Sequence, residues 1–130
     1  MSTPKQEVIR YRLELAHEAL DDAQFNLDGG RLRVASNRVY YAMLYAAIAL
    51  LATRDLSSSR HSGVITLFYD HFVKPGAFPR DLAHALGQAL GMRTDTDYKV
   101  SDPPEAARLG KMIENARAFV QKVEELIQAT

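Results

Sequence analysis

The chain contains no cysteine in its 130 residues. That excludes disulfides, thiolate zinc sites and a cysteine nucleophile. It carries no net charge either, because 16 Lys and Arg balance 16 Asp and Glu. Proteins that grip many phosphates usually hold a basic surplus, so broad coating of nucleic acid is disfavoured, while a local basic patch stays compatible with neutrality. A neutral surface also favours association with itself or with a partner. No glycine-rich phosphate loop and no His-Glu-x-x-His pair occurs. His17, His71 and His84 fall on separate expected helices without metal-ligand spacing, so neither a metal nor a cofactor is expected. Met1 to Gln6 is polar and has no apolar signal core. The best apolar run, Ala42 to Ala52, is too short to span a bilayer. A soluble cytoplasmic protein without membrane contact is expected.

What is present is enough apolar residue, 47% of the chain, to build one core without staples. No repeat, low-complexity tract or linker divides residues 1–130, which read as one helical domain. The expected fold is all-α: an up-and-down bundle of four main helices plus a short fifth. The first helix runs from Pro4 to Leu27, with Ser2 or Thr3 as its cap and Asp28-Gly29-Gly30 as its end. Val8, Tyr11, Leu15, Leu20, Ala23 and Leu27 form its apolar positions. The second, Arg31 to Thr53, is alanine-rich and apolar on most sides, which argues for a central place. Ser57-Ser58-Ser59 leads into a third helix, Arg60 to Phe72. Pro79 opens a fourth that carries Leu82, Leu86 and Leu90, and a polar segment, Arg93 to Asp102, follows it. Pro103-Pro104 starts the last helix, whose apolar stripe runs from Ala107 through Met112, Ile113, Ala116, Phe119, Val120 and Val123 to Ile127.

The second helix carries an unusual load for a core element. Ala35-Ser36-Asn37-Arg38-Val39-Tyr40-Tyr41-Ala42-Met43-Leu44-Tyr45 combines three tyrosines with an asparagine and an arginine. Each buried polar tip needs a partner. Asn37, Tyr41 and Tyr45 are spaced to share one face, and with Arg38 they are candidate binding residues. They could line a polar pocket, or form a hydrogen-bonded seam between helices. Arg60-His61-Ser62-Gly63 places His61 near a helix start, where backbone N–H groups attract anions. The alternative for this segment is a cap by Ser59, packing by His61, and close helix contact at Gly63.

In this order and spacing, "ASNRVYYAMLYAA", "RHSGV" and "MRTDTDY" resemble the HEPN domain family of prokaryotic helical proteins, most nearly its small stand-alone members. The resemblance implies a homodimer that pairs with a small nucleotidyltransferase in a toxin–antitoxin-type system. Catalytic members of that family cut RNA without a metal, using an arginine, then about four to six residues, then a histidine at the end of one helix, with two copies meeting across a dimer interface. Histidine can shuttle the proton, and arginine can hold the phosphate and the charge that develops on it. Arg93 matches the arginine, but Thr94-Asp95-Thr96-Asp97-Tyr98 follows, and no histidine occurs after it. Tyr98 stands where the histidine would fall, and an ordinary tyrosine titrates at about pH 10. Asp95 and Asp97 would repel an RNA backbone.

The resemblance therefore implies an interaction module with nuclease chemistry reduced or absent. Two alternatives stay open. One is a metal-independent RNase using Arg93 and Asp97 with Tyr98 or a displaced His61. The other is a nucleotide or phosphate binder using Arg38, Tyr41 and Arg93. A purely structural role, with Arg93 paired to Asp95 or Asp97, competes with both. Arg10–His17 and Arg54–His61 also satisfy the loose arginine–histidine spacing, outside the matching segment.

Overall fold

The computed structural model describes the backbone of residues 1–98 and 105–130 and the side chains of residues 1–93 and 105–130. The described residues form an all-α bundle of five helices: α1 (Pro4–Asp28), α2 (Leu32–Ala52), α3 (His61–Phe68), α4 (Arg80–Tyr98) and α5 (Ala106–Gln128). No strand occurs among the described residues. Thr3 caps α1 through a reciprocal box. Its hydroxyl accepts from the Gln6 N–H at 3.1 Å, while the Gln6 side chain accepts from the Thr3 N–H at 2.9 Å. At the other end Gly30 takes the left-handed conformation, φ 76°, which glycine adopts without penalty.

The central helix is α2, which packs against α1, α3, α4 and α5. Its Ala35, Ala42, Ala46 and Ala49 are all buried, as are Ala16, Ala19 and Ala23 of α1. Small side chains on both elements let the two backbones approach closely, and α1–α2 is the most extensive helix contact in the fold. By length and composition α2 could cross a membrane, contrary to the expectation from the shorter run 42–52. Its apolar character is spread over the whole helix, and 67% of that stretch is buried inside the bundle. A core position accounts for it.

Two other expectations shift. On α1 the bundle buries Ala16, Ala19, Leu20 and Ala23, while Val8 and Tyr11 are exposed. The alanine row wins because α2 needs a close neighbour. The polar segment after the fourth helix is also helical as far as Tyr98, since neither Gly91 nor the polar side chains break the ladder. The expected start of the last helix, Pro103-Pro104, lies outside the described residues.

The third helix divides. After α3 the chain widens into a single π-helical turn, Tyr69–Val73, closed by the Lys74 N–H to the Tyr69 carbonyl at 2.9 Å. This turn aims Phe72 and Val73 into the core. Phe68, Phe78 and Phe119 pack ring to ring, with centroids 4.9–5.5 Å apart, and join α3, the following turn and α5. Each such buried ring contributes about 2–3 kcal/mol by removal from water.

Candidate functional site

Tyr41 of α2 is the hub of a cationic and aromatic cluster. One turn earlier, Asn37 holds Arg38. Its Oδ1 accepts from the Arg38 Nε at 3.2 Å and from Nη2 at 2.8 Å. That grip lays the Arg38 guanidinium over the Tyr41 ring, 4.9 Å from its centroid. One turn later, Tyr45 lies with its ring 5.8 Å from Tyr41. The i, i+4 spacing of 37, 41 and 45 thus does what helical geometry requires.

Two further elements bring side chains to the same place. Near the end of α4, Arg93 donates from Nη2 to the Tyr41 hydroxyl at 3.4 Å. Its Cζ also lies 5.2 Å from the Tyr40 ring centroid and 5.3 Å from that of Tyr41. From the first position of α3, His61 sets its ring edge-on to Tyr41 at 5.6 Å and tilted to Tyr40 at 6.2 Å. Arg93 and His61, remote in sequence, therefore share the same two rings.

The loop before α3 fixes His61. The residue preceding the helix is Arg60, and no side chain caps it. Ser59 is not the cap. Instead Ser58 Oγ accepts from the Arg60 N–H at 3.2 Å. Gly63 makes room for this loop rather than for a neighbouring helix, because a Cβ there would lie 2.0 Å from Ser58 Oγ.

Six expected residues thus converge: Asn37, Arg38, Tyr41, Tyr45, His61 and Arg93. The side chains of Asp97 and Tyr98 lie outside the described residues, as do those of Asp95 and any pairing of it with Arg93. The accidental arginine–histidine pairs have structural partners of their own. Arg10 pairs with Glu7, and His17 with Glu124 at 3.0 Å. Arg54 lies 4.1 Å from the Phe72 ring centroid and donates to the His71 carbonyl at 2.9 Å.

The residue the sequence reading did not single out is Tyr40. It is fully buried, and among the described residues its hydroxyl has no hydrogen-bond partner. Burial pushes its phenol above the ordinary tyrosine range, Arg93 opposes this, and Tyr41 reinforces it. The clue was its place beside Tyr41 on a helix apolar all round, where one of two adjacent tyrosines must point inward.

Chemically, the cluster offers two guanidinium groups, an exposed imidazole, an amide and two half-buried phenols. Such a surface suits planar or anionic groups. Among the described residues, no group of three His, Asp or Glu could hold a metal ion.

A family model for the HEPN domain matches residues 9–126. A UPF0332 protein of Thermotoga maritima is 36% identical over 124 residues, covering 95% of this chain and 94% of that one. A protein of Methanocaldococcus jannaschii named "Putative toxin" is 30% identical over 122 residues, covering 94% and 90%. A second of that name from the same organism is 24% identical over 125 residues, covering 92% and 85%. The matched region begins within α1 and ends within α5, so it takes in both the core and the cluster around Tyr41, and the chain belongs to the HEPN domain family.

Proposed function

We propose that this protein is the HEPN member of a toxin–antitoxin-type pair. It folds as one cytoplasmic domain, pairs with itself and holds a small nucleotidyltransferase, with nuclease chemistry reduced or absent. One observation carries the reading. Arg93, in the place of the family's catalytic arginine, is tied to Tyr41 and lies against Tyr40, and no histidine follows it in the chain. The name "Putative toxin" on two relatives supports the toxin–antitoxin setting.

The test is RNA cleavage by metal-free purified protein beside its Arg93→Ala variant. Neither protein should cut. Co-expression with a small nucleotidyltransferase should yield a complex that survives gel filtration. Cleavage abolished by Arg93→Ala would overturn the reading.

A second reading has its own support in the convergence of Arg93 and His61 on Tyr40 and Tyr41. Here His61 moves the proton between the ribose hydroxyl and the leaving oxygen, and Arg93 stabilises the charge on the phosphate. His61→Ala should then abolish cleavage without changing the fold, whereas under the first reading there is no cleavage to lose.

A further inference from the structure

A groove of about 1040 Å³ runs along α1 from Thr3 to Asp21 and is shared with the end of α5. The α1 stretch between those two residues is about 27 Å long. Pockets for compact small molecules hold about 300–1,000 Å³, so this one is both large and elongated. Its floor is apolar. Ile9 and Leu13 of α1 and Ile127 of α5 line it, and each is only partly buried. Both walls are helices whose backbone groups are already bonded internally. An extended peptide lying here would leave its own N–H and C=O groups unmet. A helix brings its backbone bonds with it.

The charges of the lining are unevenly matched. Every cationic side chain in it is held within the chain: Lys5 Nζ by Asp55 at 3.4 Å, Arg10 by Glu7, and His17 Nε2 by Glu124 at 3.0 Å. Three carboxylates of the same lining, Glu14, Glu18 and Asp21, make no ion pair among the described residues. They are exposed and follow one another by four and three positions, so they form a row on one side of α1. Like charges at that spacing weaken a helix. The row costs α1 stability, and the pairs within the bundle do not repay it. The groove is thus apolar below and acidic along one edge.

We propose that this groove receives an amphipathic helix of a second protein, apolar where it meets Ile9, Leu13 and Ile127, and basic where it meets Glu14, Glu18 and Asp21. The basic residues of that helix repeat by three and four, as the carboxylates do. Arginine serves best, because its planar fork matches a carboxylate. Apolar contact with the floor supplies affinity, and the acidic edge selects the partner by charge. The inference goes beyond the toxin–antitoxin reading and does not depend on it. The groove shares no residue with the cluster around Tyr41, so a helix seated here leaves Arg93 and His61 uncovered.

The probe is a synthetic stapled helix of about 18 residues, enough to span the groove, with a row of leucines flanked by a row of arginines. Titrated into the isotope-labelled full chain, it should move the amide resonances of Ile9, Leu13, Glu18 and Ile127 and leave those of Tyr41 and His61 in place. Glu14→Lys/Glu18→Lys should weaken binding at least about tenfold, and added salt should weaken it in the wild type. A probe with glutamates for its arginines should bind the wild type at least about tenfold more weakly and should prefer the double variant. Ile9→Glu should also lose the arginine helix while keeping a helical circular dichroism spectrum. Should Ile9→Glu fail to fold, the double variant still decides, because both of its changes fall on exposed side chains. Groove resonances that stay still at millimolar probe would overturn the proposal. Equal affinity for the two probes would overturn the charge match. Groove resonances that move when the chain alone is concentrated would give the groove to a second copy and overturn the assignment to another protein.

Discussion

Arg93 reaches Tyr41 across 52 residues of sequence, and a single hydroxyl marks the meeting point. Hydroxyl and ring can be separated experimentally. Tyr41→Phe keeps both guanidinium–ring contacts and removes only the acceptor. At 3.4 Å the bond is long, so its loss should cost near the low end for a hydrogen bond, about 0.5 kcal/mol. Arg93→Lys removes the planar cation that lies against both rings, and should cost about 1–2 kcal/mol. Urea denaturation of the two variants measures both. The ranking fails if Tyr41→Phe is the more damaging.

Gly63 holds the entrance of α3 open. A Cβ at this position would meet Ser58 Oγ at 2.0 Å and Ser58 Cβ at 2.8 Å. The second contact cannot be relieved by rotating the hydroxyl, so the loop backbone must move. Gly63→Ala should destabilise by about 1–3 kcal/mol, as overpacking does. Ser58→Gly in the same chain should return part of the loss, and a double-mutant cycle should give a coupling of about 0.5 kcal/mol or more. Additive effects would mean that the two residues do not collide.

Much of this was legible beforehand, for identifiable reasons. Helix ends followed local chemistry: a hydroxyl cap at Ser2 or Thr3, of which the structure uses Thr3, then the glycines after Asp28. The place of α2 followed from its even apolar coverage. The shared face of Asn37, Tyr41 and Tyr45 needed only the helical repeat. Which α1 stripe enters the core was not legible, because two apolar stripes compete and the choice depends on the alanines of α2. The convergence of His61 and Arg93 was not legible either. It is set by how α3 and α4 cross α2, and no local spacing encodes that. Ser58 was missed in favour of Ser59 because three consecutive serines offer the same chemistry, and only the backbone path selects one.

The capping box of α1 should carry measurable stability although it is exposed. Thr3→Ala leaves the Gln6 N–H without its side-chain acceptor and removes half of a reciprocal pair. A loss of about 0.5–2 kcal/mol is expected. Thr3→Ser should keep most of it, because the hydroxyl is what accepts. Chemical denaturation of the two variants separates the hydroxyl from the methyl. Equal losses would show that the cap does not contribute through its oxygen.

Tyr40 sets an alkaline limit on stability. Burial raises its phenol above the ordinary value of 10.0, against the opposing pull of Arg93. The unfolded chain therefore releases this proton at lower pH than the folded one. The contribution is complete below about pH 10 and is lost as pH rises through the higher folded value. In denaturation midpoints taken from pH 8 to above pH 11, the wild type should fall more steeply in the upper part of that range than Tyr40→Phe. Phenolate absorbance should agree, with one fewer late-titrating tyrosine in the variant. Parallel pH profiles for the two proteins would mean that the Tyr40 hydroxyl reaches water freely, which its complete burial beside Arg93 argues against.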